Sequence, residues 1–262
     1  MSTNTGVRAA ERVSTSTGQV RPQSSRRRLT LLAAGAVTLP VAAVTATWAL
    51  FFTPDSPSEL RLSTQTGITT AAVPTGAWSV GPGSVAGYRV REKLLRLPAS
   101  NDAVGRTSAI TGAFRLAGDG AELRVEKGMR IDVDVSSITS DEVRRDDHMR
   151  TMAIETDLYP TASFLSTSEI VIPADVTARG QASVTVVGDL TMHGVTRSVS
   201  IPLQAQLAAG RIEIVGTLAF PWDFFNMKRP NLSYVTVEAD PTLEFQVYFE
   251  HASRSAFGNP HE

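Results

Sequence analysis

The sequence predicts an all-β protein built from antiparallel strands. Three observations carry this. From Trp78 to Glu250 apolar residues recur at every second position, the period of a half-buried strand. Polar or glycine corners such as His193-Gly194 and Gly210 separate the runs, as in hairpins. No helical run lies between successive strands, which argues against parallel βαβ architectures.

The strands come in chain order. Ala86, Tyr88 and Val90 share one face; Ile110, Gly112, Phe114 and Leu116 share the next. Met129, Ile131, Val133 and Val135 alternate with Arg130, Asp132 and Asp134. Ala162 and Phe164 open a strand leading to Ile170-Val171-Ile172. Val184, Val186, Gly188 and Leu190 run to the His193-Gly194 corner, and Val199, Ile201, Leu203, Ala205 and Leu207 return from it. Ile212, Ile214, Gly216, Leu218 and Phe220 complete a second hairpin across Gly210. Val235 and Val237 precede a last strand with Leu243, Phe245, Val247 and Phe249 inside and Glu244, Gln246 and Glu250 outside. Strands with one apolar face must close on a core, as a sandwich or a barrel. The inward glycines Gly87, Gly112, Gly188 and Gly216 permit sharp coiling or close approach, so a barrel with an internal cavity is at least as plausible as a filled sandwich.

One stretch breaks the alternation. Ser140 through Met152 reads as a short charged helix or ordered loop, with Ser140 as its cap and Asp146 and Arg150 four residues apart. It ends before Tyr159-Pro160, where an extended strand restarts.

The N-terminal part has another character. Residues 1–28 hold six arginines against one glutamate and almost no large apolar residue, the composition of a disordered tail. Leu29–Phe52 is uncharged over 24 residues, enough to span a bilayer core of about 30 Å. Arg26-Arg27-Arg28 abuts its near end and Trp48, Phe51 and Phe52 its far end, which orients the N-terminus to the cytoplasm. Val44-Thr45-Ala46 would pass as a signal cleavage site, and Ser25-Arg26-Arg27-Arg28-Leu29 loosely resembles a twin-arginine export signal. A buried soluble helix is a third reading; the length favours a retained anchor. Either an anchor or an export signal puts the β-rich body outside the cytoplasm. Residues 53–75 read as a Pro/Ser/Thr-rich spacer, 76–250 as the β-domain, and 251–262 as a flexible polar tail.

Composition excludes several chemistries. With no cysteine, disulfides, thiolate metal sites and cysteine nucleophiles are ruled out. The arginine-rich tail leaves a net negative body, which argues against nucleic acid. The histidines are His148, His193, His251 and His261, too few for a zinc site without several carboxylates, and His193 reads as a hairpin corner. Gly83-Ser84-Val85-Ala86-Gly87 places its serine one residue too early for a nucleophile elbow. Gly81-Pro82-Gly83 leads into a strand and so is no dinucleotide fingerprint. No catalytic residue, metal or cofactor is expected. Outward acidic residues should be solvated, and Arg144-Arg145-Asp146-Asp147-His148 is either a salt-bridged loop or a polar rim for a ligand headgroup.

Several motifs together resemble the YceI-like family: Gly76-Ala77-Trp78-Ser79-Val80, Gly105-Arg106-Thr107, Arg145-Asp146 with His148, Tyr159-Pro160-Thr161-Ala162-Ser163-Phe164, and above all Gly188-Asp189-Leu190-Thr191-Met192-His193-Gly194-Val195-Thr196. The resemblance implies an antiparallel, extended lipocalin-like β-barrel of about eight strands holding an isoprenoid chain, such as that of a quinone or polyprenyl phosphate. The expected ligand contacts are Tyr88, Phe114, Phe164, Leu190, Leu218, Trp222 and Phe245 along the wall, with Arg145 and His148 at the rim. The sequence departs from the family where Met152–Asp157 lacks a paired Phe and where Phe220–Asn226 is aromatic. Two other readings stand beside the lipid carrier. One is a filled barrel binding an envelope protein through the Arg144–His148 loop; the other is an enzyme using His148 or His193.

Overall fold

The computed structural model describes residues 56–64, 73–94, 100–118, 122–173, 180–208, 210–232 and 235–252. The expected tail 1–28, the anchor 29–52 and most of the tail 251–262 lie outside them. Among the described residues no helix is long and apolar enough to cross a membrane.

The strands, in order, are β1 Gly76–Val80, β2 Val85–Leu94, β3 Ser100–Thr107, β4 Ile110–Gly118, β5 Glu122–Val125, β6 Arg130–Asp134, β7 Thr161–Ser166, β8 Ile170–Pro173, β9 Gln181–Met192, β10 Val195–Ala208, β11 Arg211–Ala219, β12 Asn231–Leu232, β13 Val235–Val237 and β14 Thr242–His251. A helix, α1 (Val143–His148), interrupts them. All pairings among these strands are antiparallel. Eight strands close a ring in the order β14, β11, β10, β9, β7, β6, β4, β1 and back to β14. The described residues thus form an all-β, eight-stranded closed barrel with one short α-helix. The edge of β14 that receives β1 also receives β2, which carries β3 beyond it.

Alternation sets the wall. In β9, Val186, Gly188, Leu190 and Met192 are buried and the intervening residues are more exposed. At the corner after β9, His193 and Gly194 have φ of 51° and 71°, the two left-handed residues of a type I′ hairpin. Gly87 shows what a close approach requires: a Cβ there would lie 1.9 Å from the Gly105 carbonyl oxygen on β3. Where β1 meets its neighbours, buried Trp78 stacks on Phe114 at 6.3 Å, and Phe114 meets Phe249 edge-on at 4.9 Å.

Three sequence expectations change. Ser140 is not the helix cap. Glu142 caps α1 by accepting from the Arg144 amide at 3.2 Å. Ser140 instead donates its hydroxyl to buried Asp146 at 2.6 Å, so Asp146 braces the preceding turn and Arg150 lies 3.6 Å from Asp147. The chain then continues as a π-helical turn, Met149–Ala153, burying Met149, Ala153 and Ile154 in the core.

His251, assigned to the tail, belongs to β14: it pairs with Trp78, and its Nε2 lies 2.9 Å from the Thr75 carbonyl. Finally, residues 56–64 of the expected spacer lie against the barrel wall. Under them Glu213 and Glu244, outward by alternation, are 0% and 2% exposed, where solvated carboxylates were expected. The segment's polar composition looks like a linker because the wall binds its main chain.

Candidate functional site

The barrel interior is not filled. Ile131, Val133, Ala162, Leu218, Leu243 and Phe245 are only half-buried although they point inward. They border a cavity of about 110 Å³. A second cavity of about 120 Å³ lies between Val73, Ile172, Gly180, Gln181 and Leu207 at one end and Phe114, Leu116 and Phe249 deeper in. Met129, Val186, Leu203 and Ile214 border both, so the two adjoin. The filled-barrel expectation is therefore overturned by void space along the interior.

The linings are almost wholly apolar, because each strand turns its branched aliphatic face inward. Polar groups border the larger cavity at Gly180, Gln181 and Gln206, where Gln181 Nε2 donates to Gln206 Oε1 at 3.3 Å. Glu244 borders the smaller, but its carboxylate is held outward by Arg89 at 3.1 Å and Arg106 at 2.7 Å. No Lys, Arg or His borders either cavity among the described residues. Such a space takes an apolar chain and gives a buried charge no partner.

Of the expected contacts, Phe114 borders the larger cavity and Phe164, Leu190, Leu218 and Phe245 the smaller. Tyr88, Arg145, His148 and Trp222 border neither. Tyr88 is packed into the core, and its hydroxyl has no partner there. Burial is the main cause holding its pKa well above the usual tyrosine value; Asp146, Glu92 and Asp141 add to this while Arg145 opposes it. Arg145 ties the closing segment, residues 140–154 with Met149, Ala153 and Ile154 in the core, to β2, contacting Glu92 at 3.3 Å and Asp141 at 2.5 Å. Trp222 anchors a 3₁₀ turn, Trp222–Phe225, by donating to the Glu238 carbonyl at 3.1 Å. The headgroup-rim reading of Arg145 thus gives way to a loop brace, since its guanidinium is already paired. Gln181, Gln206 and Val73 were not anticipated: two sit on outward strand positions and the third in the expected spacer.

His193, a candidate catalytic group by residue type, is a structural corner, with Tyr159 packed on its ring at 4.6 Å. No group of three His, Asp or Glu residues with metal-binding geometry occurs among the described residues.

Fold and interior together define an antiparallel barrel with an apolar internal space. The pattern of the YceI-like domain matches residues 83–249, well over half of the sequence, and the chain belongs to that family. A UPF0312 protein of Shewanella denitrificans is 29% identical over 132 residues, covering 48% of this chain and 64% of that protein, so the match spans somewhat less than two thirds of the relative. A UPF0312 protein of Pseudomonas putida is 28% identical over 149 residues, covering 52% and 73%. A solved structure described as a polyisoprenoid binding domain from Saccharophagus degradans, implicated in plant cell wall breakdown, aligns with TM-score 0.47 and 16% identity over 68% of this chain and 99% of that one.

Proposed function

We propose that this protein is a non-catalytic carrier or sequestering protein that holds an isoprenoid lipid in the barrel interior, tethered outside the cytoplasm by residues 29–52. The observation that carries this is the adjoining apolar void. An unfilled apolar space costs stability because the atoms that line it lack packing partners. Filling it with methylenes returns about 0.8 kcal/mol each, enough for several isoprene units to outweigh the cost of association. With no Lys, Arg or His at the lining among the described residues, the space suits a neutral head such as a quinone or polyprenol. The polar border at Gly180, Gln181 and Gln206 is where the head belongs. Family membership supports the same reading.

The test is to purify the chain from its native host, extract it, and identify bound lipid by mass spectrometry. Empty preparations that also fail to take up quinones and polyprenols would sink the carrier reading. Topology is checked separately with Asp147→Cys, an exposed position in a chain that otherwise has no cysteine. Labelling of intact cells by a membrane-impermeant maleimide is expected; protection until lysis would overturn the placement. A protein partner at the closing segment keeps one supporting observation: Val143, Leu158 and Met152 there are 71%, 69% and 55% exposed.

A further inference from the structure

The outer wall carries a row of side chains aimed at a peptide main chain. Glu244 grips the inner edges of two guanidiniums, Arg89 Nε at 3.1 Å and Arg106 Nε at 2.9 Å. So fixed, Arg89 Nη2 donates to the Pro57 carbonyl at 2.7 Å and Arg106 Nη2 to the Ser58 carbonyl at 2.5 Å. Further along, Gln246 Nε2 donates to the Arg61 carbonyl at 3.1 Å and Gln206 Nε2 to the Ser63 carbonyl at 2.9 Å. Glu213 takes the Ser63 amide at 2.9 Å and its hydroxyl at 2.6 Å. At the other end the Ser56 hydroxyl donates to Asn101 Oδ1 at 2.5 Å.

These groups stand on β3, β2, β14, β11 and β10, five adjacent strands. Four interstrand steps span about 19 Å, which seven residues of extended chain, reaching about 23 Å, cover comfortably. The segment therefore crosses the strands and does not extend the sheet, unlike β-strand addition. Recognition is of carbonyls plus two serines, Ser56 and Ser63. The side chains of Pro57, Ser58, Glu59 and Arg61 are exposed, and Glu59 and Arg61 pair with each other.

We infer that this wall is a second binding site, on the outer face of the strands and meeting the cavities at Gln206 and Glu244, for an extended polypeptide with the features of Ser56–Thr64, occupied in the resting chain by that segment and open to the same segment of a second copy. Every contact comes from the barrel side chains and the nine residues themselves, so the bonds made are the same whichever copy supplies them. The covalent connection gives the resident segment an effective concentration of about millimolar, so exchange between copies requires its release first.

The experiment uses the full chain and a dye-labelled peptide of residues 56–64. Ser63→Asp removes the hydroxyl donor and sets a carboxylate against Glu213. The amide at position 63, which donates to Glu213 in the wild type, should exchange with deuterium at least tenfold faster in this variant, with unchanged circular dichroism. The variant should bind the wild-type peptide at least tenfold more tightly than the wild-type chain does, and should not bind a peptide carrying Ser63→Pro, which lacks the amide. Unchanged exchange in Ser63→Asp would overturn the inference. So would a released segment with no peptide binding, or equal binding of the two peptides.

Discussion

His193 and Glu155 form a pair with Nε2 and Oε2 2.8 Å apart, while Nδ1 of the same ring lies 3.1 Å from the Phe225 carbonyl oxygen. The ring is thus held at both nitrogens, by a carboxylate on one side and a main-chain carbonyl on the other. The geometry joins three loops. Glu155, His193 and Asn226 are the non-glycine residues with left-handed φ among the described residues, at 52°, 51° and 56°. Each costs of order 1 kcal/mol alone, and the shared ring holds them together.

His193→Ala should therefore lower stability by about 2–4 kcal/mol, combining charge-assisted bonds with backbone strain. His193→Asn, suited to the first position of a type I′ turn but too short to bridge the loops, should recover part of this loss. Urea denaturation measures both. Equal stability of the alanine variant and the wild type would remove the corner role.

Filling the void tests the cavity without touching a polar group. Ala162 is half-buried and borders the smaller cavity. Ala162→Phe should leave thermal stability unchanged or raised while weakening uptake of a long polyprenol at least tenfold. Calorimetry and lipid titration on the same preparation separate the two effects.

Arg145→Ala should distinguish a brace from a headgroup contact. Losing its ties to Glu92 and Asp141 should speed amide exchange across residues 140–154 and leave lipid affinity within about twofold, since these partly buried pairs act on the segment and not the cavity. A tenfold loss of affinity with unchanged exchange would restore the rim reading.

The wall contacts of the 56–64 segment depend on pH through Glu213. Burial pushes its pKa up, but donation from Ser63, Gln246 and Gln206 outweighs this and holds it below the usual 4.5. A depressed folded-state value means the stabilisation is present above pH 4.5 and is lost as pH falls through the folded value. The protection of the Ser63 amide, taken against the intrinsic exchange rate at each pH, should accordingly hold from neutral pH down to 4.5 and fall only below it. Loss of protection already at pH 6 would contradict this.

The wall was legible because alternation is a strict code: Val186, Leu190, Ile201 and Ile214 face inward where the period places them. Phe114, Phe164, Leu190, Leu218 and Phe245 reach the cavities for the same reason. Tyr88 shares that face, yet the pattern cannot tell packed core from void. Arg145 and Trp222 were misplaced because loop contacts depend on which acids and carbonyls arrive from elsewhere, here Glu92 and Glu238. The docked segment was illegible for a different reason. Most of its binding groups are carbonyls, which every residue carries, and their donors lie on four strands far away in sequence.

The ring closes where Trp78 pairs with His251, so the first strand must wait for the last. Loop closure over such a separation is entropically costly, and pairing of this kind is slow. Until β14 arrives, β1, β2 and β11 each present an unpaired edge and the aliphatic interior stands open. The nascent barrel thus passes through a long aggregation-exposed interval. A lipid or chaperone able to cover that interior during synthesis would improve the yield of folded protein, independently of any role it has afterwards.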